Sequence, residues 1–295
     1  MKAENYTSYV DRFVDTLGAE LDLISFDHYP FFERALTAAK NKTSSPAGYR
    51  ANLGVVRAAS KRANVPFWNY FNVLPFGEHS DPTPGQLSWQ VFTSLAYGSK
   101  GVLYFCYWSP AGGAPFGKGG GVVYPRGSRA TFKRGAHYED ARRINSVLRV
   151  FGNYLLAATS TGIYRVQPHG THDNGDTGTC RRGEQDCPDG EQPNDDLTLC
   201  AMNATSVAVN SEWPGAGLLI GQFRMPDGRT ALLLHNQNWD FSIWPTVAFA
   251  ANATEVDPVS GRETDVLDDS PYVPGLQLSF GVAEARLFVL DTRHV

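Results

Sequence analysis

The sequence predicts an α/β domain followed by an all-β region. Three observations carry that expectation. Apolar runs at 21–27, 65–73 and 102–108 alternate with amphipathic stretches of helical length. Each run is apolar nearly throughout, as parallel strands buried on both faces are. After about residue 158 the pattern changes to short apolar runs separated by turn signals, which reads as antiparallel β structure.

Residues 5–18 make the first helical stretch. Tyr9, Val10, Phe13, Val14 and Leu17 recur on one stripe, and Gly18 suits the C-terminal cap. The run Asp22-Leu-Ile-Ser-Phe-Asp-His-Tyr-Pro30 follows, with a strand over 21–27 stopped by proline. Residues 47–63 are helical again: Leu53, Val56 and Ala59 repeat inward, and Arg50, Arg57 and Lys61 are expected outside. Val65-Pro-Phe-Trp-Asn-Tyr-Phe-Asn-Val73 is the second strand. Asp81-Pro-Thr-Pro-Gly-Gln86 starts a helix that runs to about Tyr97, proline falling in or before its first turn. Gly98-Ser-Lys-Gly101 ends it, and Val102-Leu-Tyr-Phe-Cys-Tyr-Trp108 is the third strand. A glycine-rich loop spans 109–135; it lacks the G-x-x-x-x-G-K-[ST] spacing of a phosphate loop. Residues 138–157 form one more helix, with Ile144, Val147, Leu148, Phe151 and Leu155 inward.

The second part holds the runs 162–166, 217–223, 230–235 and 285–290, with a turn at Pro226-Asp-Gly228. This pattern predicts an antiparallel β-sandwich. The expected domains are therefore 1–158 and 159–295, the second carrying a polar insertion at about 168–197. Asp173-Asn-Gly-Asp176 in the insertion resembles part of a calcium loop but lacks the full spacing and the closing glutamate. No metal or cofactor is expected.

Composition narrows the function classes. The chain has 295 residues, 42% hydrophobic and 19% charged, enough to bury a large core. Its net charge of −4 gives no electrostatic case for nucleic acid or an anionic membrane. No run of about 18 apolar residues suits a transmembrane helix, and the first residues do not form a signal peptide. Met1 reads as an internal start, a mature end or a fragment edge. Cys180, Cys187 and Cys200 share one polar loop, where one disulfide is compatible with the spacing but its pairing is open. Together with sequons at Asn5, Asn41, Asn203 and Asn252, these cysteines tilt the expectation towards a secreted or lumenal protein. Cys106 reads as a buried small hydrophobe. Aromatics reach 12%, a composition that suits sugar-stacking surfaces and large cores alike.

Chemistry concentrates where the first apolar run ends. Asp27, His28 and Tyr29 follow Leu-Ile-Ser-Phe directly, at the carboxyl end of a buried parallel strand, where α/β folds place their active sites. Asp27 is either a functional carboxylate or a structural acceptor for loop amides. His28 and Tyr29 are placed to bind hydroxyls or to tune its ionisation.

These segments resemble the last three βα units of a clan A glycoside hydrolase TIM barrel, and are most similar to the family 42 β-galactosidases. Asp22-Leu-Ile-Ser-Phe-Asp-His-Tyr-Pro30 looks like the sixth strand, with its Asp-x-Tyr-Pro ending. Pro66-Phe-Trp-Asn-Tyr-Phe-Asn72 looks like the seventh. Gln86-Leu-Ser-Trp-Gln-Val-Phe-Thr-Ser-Leu-Ala-Tyr-Gly98 and Gly101-Val-Leu-Tyr-Phe-Cys-Tyr-Trp108 look like the helix before the eighth strand and that strand itself. The likeness covers roughly 5–157. It implies a partial (β/α)8 TIM barrel followed by the β-sandwich, and a glycosidase or carbohydrate-binding protein. It also implies substrate contacts from His28, Tyr29, Trp68, Asn69, Asn72, Tyr107 and Trp108.

The resemblance also locates what is missing. A whole barrel has eight βα units and about 250 residues, whereas about 150 precede the β region here. In that clan the general acid/base follows the fourth strand, outside this chain, and the nucleophile ends the seventh. An ungapped comparison puts Phe71 at the nucleophile position, with Asn69 and Asn72 beside it. Glycoside hydrolysis ordinarily needs two carboxylates. Asp27 is the first candidate, and Glu78, in the loop after the second strand, is the other. The alternatives are a non-catalytic carbohydrate-binding protein and a truncated remnant. Little turnover is expected of the chain by itself, and an open strand edge at 21–27 suggests self-association.

Overall fold

A computed structural model describes residues 3–32, 46–110, 116, 121–126, 131–166, 199–204, 217–249, 251–266 and 276–291. They form two compact units, residues 1–87 with 97–141, and 88–96 with 142–295. From residue 159 onward the described strands are all antiparallel; before it, a two-stranded antiparallel hairpin at 123–134 interrupts the βα elements.

The first unit opens with α1 (Ala3–Leu17), a short 3-10 turn at Gly18–Glu20 and strand β1 (Ile24–Asp27). Then come α2 (Pro46–Ala63), β2 (Phe67–Asn72), the first turn of α3 (Pro84–Ala96), whose residues 88–96 belong to the second unit, and β3 (Gly101–Phe105). The three strands are parallel in the order β1-β2-β3. Thr83 and Gln86 start α3 with a capping box: each side chain accepts from the other's backbone N–H, at 2.9 and 3.2 Å. Pro84 then occupies the first helical position, where its missing N–H costs nothing.

Register decides which side chains share a face. Ser25 lies beside Trp68 and Asp27 beside Tyr70, while Trp68, Tyr70 and Asn72 lie beside Gly101, Leu103 and Phe105. The opposite face carries Ile24, Phe67, Asn69 and Phe71, all buried. That face meets the helices, since the Asn69 amide donates to the Tyr49 hydroxyl of α2 at 2.5 Å. Gly101 is required by this arrangement: a Cβ there would come within 2.8 Å of the Trp68 indole.

Some sequence expectations are corrected. Of the expected stripe on α1, Val10 and Val14 are buried, and Tyr9, Phe13 and Leu17 are exposed. Leu53, Val56 and Ala59 of α2 are buried as expected, but Arg50 and Arg57 are buried too. The helix buries paired positions at 49/50, 53, 56/57 and 59/60, so its covered face is wider than one apolar stripe. The long aliphatic stems of arginine let it occupy such flanks. The third strand stops at Phe105, so Cys106, Tyr107 and Trp108 lie beyond it; the Phe105–Cys106 peptide is cis. The glycine-rich loop contains a hairpin of β4 (Val123–Arg126) and β5 (Thr131–Arg134), followed by α4 (Tyr138–Leu155).

The second unit contains β6 (Thr159–Val166), β7 (Leu199–Ala204), β8 (Leu218–Arg224), β9 (Thr230–Asn236) and β10 (Pro245–Phe249). It continues with β11 (Ala253–Val256), β12 (Glu263–Val266), β13 (Leu276–Gln277) and β14 (Ala285–Leu290). A six-stranded antiparallel sheet runs β12-β11-β14-β9-β8-β6, and a three-stranded one runs β13-β10-β7. Leu218, Ile220, Leu232, Leu234, Phe288 and Leu290 from the first share one core with Val247, Phe249 and Leu276 from the second. The alternate residues Leu219, Ala231, Leu233, Leu287 and Val289 are buried as well. Residues 88–96 lie on that side: a Cβ at Gly221 would meet the Ala96 carbonyl at 2.5 Å, and Gln237 donates to Thr93 at 3.2 Å. A strand buried on both faces has no polar side, which is why β8 and β9 read as continuous apolar runs.

The expected insertion at 168–197, with Asp173, Asp176, Cys180 and Cys187, lies outside the described residues, as does Asn41. Cys106 is a free thiol. No helix among the described residues is long and apolar enough to cross a membrane.

Candidate functional site

Asp27, His28, Tyr29, Asn72, Tyr107 and Trp108 lie at or past the carboxyl ends of β1, β2 and β3, within the first unit, whereas Trp68 and Asn69 lie earlier in β2, Trp68 beside Gly101 at the start of β3. Asp27 closes β1 and is exposed, on the same sheet face as Trp68 and Tyr70. The Tyr29 phenol lies beside the Asp27 carboxylate. Burial and then the Asp27 charge push the Tyr29 phenol well above its usual range, so it stays protonated at all physiological pH. Its ring packs edge-on to Phe76 and His79, at 5.1 and 5.5 Å, and lies 5.2 Å from Phe105. One aromatic cluster thus joins the segments after all three strands.

His28 turns away from this cluster. Its Nδ1 lies 2.9 Å from the Asn52 amide nitrogen of α2, and its ring meets Tyr49 edge-on at 5.3 Å. With Asn52 donating, Nδ1 accepts and the ring proton sits on Nε2. Burial, with a contribution from His79, lowers the His28 pKa to about 4, so the ring is neutral at pH 7. Tyr6 of α1 shares Asn52, and burial raises its phenol to about 12.

Sequence reasoning missed His79. It pairs with Phe32 and Phe76 through isolated bridges, and its ring lies 4.2 and 4.5 Å from theirs. Burial lowers its pKa, against the raising effects of the Phe31 carbonyl, Glu78 and Asp27. Its Nδ1 is buried without a hydrogen-bond partner, a cost that is smaller for a neutral ring. The signal was present: a histidine beside an acid in the loop after an apolar strand.

The other expected residues fall in three groups. Trp68 is 37% exposed on the open sheet face, over Gly101. Asn69 and Asn72 are fully buried: Asn69 holds Tyr49 on the helix side, and Asn72 donates to the Ser80 carbonyl at 3.4 Å. Tyr107 and Trp108, past the end of β3, are 59% and 39% exposed. Glu78 sits exposed in the loop beside His79. Phe71 is fully buried on the helix-facing side, 4.8 Å from the Tyr104 ring. The residue at the end of β2 that alternates onto the Asp27 face is Asn72, which has no carboxylate either.

At neutral pH this end of the sheet therefore presents an exposed carboxylate, a phenol beside it, the neutral His79 imidazole and several aromatic faces. Such a set can accept hydrogen bonds from hydroxyls and stack on the C–H face of a ring. Among the described residues no group of three or more His, Cys, Asp or Glu is placed to hold a metal ion.

No protein-family model matches the chain, and no curated protein sequence does. Weak likenesses to solved structures include three glycosidases. A catalytic mutant of a family 42 β-galactosidase from G. stearothermophilus has a TM-score of 0.45 at 10% identity, covering 97% of this chain and 60% of that one. A family 51 α-L-arabinofuranosidase from Bifidobacterium longum gives 0.36 at 8% identity, over 96% of this chain and 55% of that one. A family 27 β-L-arabinopyranosidase from Geobacillus stearothermophilus gives 0.30 at 10%, over 98% and 62%. The chain spans less than two thirds of the length of each. Likenesses of this strength leave the chemistry to be read from the side chains.

Proposed function

We propose that this chain is a glycoside hydrolase-like protein that acts on or binds carbohydrate through the carboxyl ends of β1, β2 and β3. In this reading the three parallel strands are the last three βα units of a (β/α)8 barrel, and the nine described antiparallel strands belong to a β-sandwich. The observation that carries it is the Asp27–Tyr29 pair. An exposed carboxylate ends a parallel strand, the half-buried Tyr29 phenol lies beside it, and Trp68 shares its sheet face.

Asp27 has the role of hydroxyl acceptor and, if chemistry occurs, of the carboxylate that serves as base or nucleophile. Tyr29 orients it. Trp68, Tyr107 and Trp108 supply apolar surface for the sugar ring, while His28, Asn69 and Asn72 fix the strand ends and α2 around the site. Glu78 is the reserve carboxylate, in the loop that holds His79. A second carboxylate facing Asp27 is not supplied by Phe71, which is buried on the other face, nor by Asn72. We therefore expect sugar binding with little turnover by this chain alone.

The test pairs aryl glycoside assays with calorimetric titration by monosaccharides. Binding that Asp27→Asn weakens about tenfold, with slow or no hydrolysis, fits the proposal, tenfold being one lost hydrogen bond to a charged group. Sugar binding untouched by Asp27→Asn, or robust turnover that survives it, overturns it.

A further inference from the structure

We infer that the antiparallel unit carries a sugar-binding surface of its own, centred on Trp244 and fitted to one face of a neutral pyranose. The segment after β9 and the segment before β14 are joined by an antiparallel bridge between Ile243 and Phe280. Each donates its N–H to the other's carbonyl, at 3.0 and 2.9 Å. Ile243 and Phe280 are fully buried. The next residue on each segment, Trp244 and Ser279, therefore lies on the outward side, and the two stand opposite each other in the same register. Trp244 is 43% exposed, and Phe241 and Val282, on the adjoining turns, are 48% and 41% exposed.

This surface is held rigidly. The buried Asn236 amide donates to the carbonyls of Phe241 and Gly281 at 2.9 and 2.8 Å, tying the two segments together. The Asn238 side-chain oxygen accepts from the backbone N–H groups of Asp240 and Phe241, both at 2.9 Å. Ala283 donates to the Asn238 carbonyl at 2.9 Å. Large aromatic side chains on fixed loops lose little conformational freedom on binding, which favours weak ligands such as monosaccharides.

The surroundings select the ligand. Asp240 and Glu284 are exposed on the same two segments, Glu284 accepting from the Gly281 N–H, and Ser279 adds a hydroxyl. Carboxylates and hydroxyls bond sugar hydroxyls, and an indole face covers the C–H side of a pyranose. The same carboxylates oppose a phosphate backbone or an anionic bilayer. Three apolar side chains also fall far short of the roughly 800 Å² per partner of a stable protein interface. This inference goes beyond the site on the first unit and does not need it to be catalytic.

Affinity electrophoresis of the full chain in gels containing galactan, arabinan, xylan or mixed-linkage glucan tests it. Saturation-transfer NMR with galactose, arabinose, xylose and glucose gives a second readout. Retardation by at least one polysaccharide is expected. Trp244→Ala should weaken it about tenfold, as loss of an aromatic anchor does, and Trp244→Phe should restore much of it. Ser279→Arg, which covers the platform without removing the indole, should also weaken it and serves if Trp244→Ala is poorly folded. Retardation that Trp244→Ala leaves intact but Asp27→Asn removes would assign the binding to the first unit and overturn the inference. Wild-type protein that binds none of the sugars, or retardation unchanged in both Trp244→Ala and Ser279→Arg, overturns the inference.

Discussion

Replacing His137 with glutamine should cost the first unit stability in a pH-dependent way. His137 precedes α4, and its carbonyl accepts from the Ala141 N–H at 2.9 Å. The ring is buried between two acids, with Nε2 3.0 Å from Asp81 and Nδ1 3.3 Å from Asp140. Burial lowers its pKa, but hydrogen bonds and charge from Asp81 and Asp140 outweigh that, and the net shift is upward from 6.5. A hydrogen bond to a charged group is worth about 1.5–3 kcal/mol when buried. Asp81 is half exposed, so its share falls to about 1 kcal/mol or less. Asp140 is nearly buried and keeps more. Glutamine can replace one neutral hydrogen bond, which leaves a loss of about 2 kcal/mol. Because the folded-state pKa is raised, the stabilisation is fully present below the unfolded value of 6.5 and is lost as pH rises through the folded value. Urea unfolding at several pH values measures it. The gap between wild type and His137→Gln should be near 2 kcal/mol at about pH 5.5 and shrink towards about pH 9. A gap that stays constant, or widens with pH, refutes the charged-histidine account.

Three further outcomes follow from the packing. Phe71→Glu places an unpaired carboxylate on the buried helix-facing side, so thermal melts should show a loss of roughly 3–5 kcal/mol and no gain of glycosidase activity; a stable, active variant would mean that the face assignment is wrong. Gly101→Ala should push the Trp68 indole aside, change its fluorescence and cost about 1 kcal/mol. That cost should vanish in a Trp68→Ala background, and its persistence there would contradict the contact. Among the described residues β1 pairs only with β2, and α1 exposes Tyr9, Phe13 and Leu17. Sedimentation should therefore show concentration-dependent association that Phe13→Glu reduces, and a monomer at all concentrations would count against an adhesive edge.

The parallel strands were legible because a strand buried on both faces leaves a short, nearly continuous apolar run in the sequence. Phe67–Asn72 and Gly101–Phe105 fall inside or within one residue of the runs that sequence periodicity marked. Asp27 and Tyr29 were legible for a related reason: polar groups that end a buried strand must come out at the sheet's rim. What sequence could not give was which neighbour each side chain meets. His28 follows Asp27 directly, yet packs back on Tyr49 and Asn52, because successive residues leave an extended backbone on opposite sides. Arg50 and Arg57 look solvent-exposed by charge alone, and only the packed helix shows them buried. Phe71 illustrates the same limit: an ungapped comparison puts it at a catalytic position, and strand alternation puts it in the core.

The central claim is that the rim around Asp27 and Tyr29 binds sugar. NMR of the chain labelled at its tryptophan indole nitrogens and tyrosine rings, titrated with monosaccharides, tests it most directly. The account predicts saturable shifts at Tyr29, Trp68 and Trp108 that Asp27→Asn diminishes. Titration that leaves those three signals unmoved, or moves them equally in Asp27→Asn, would contradict it.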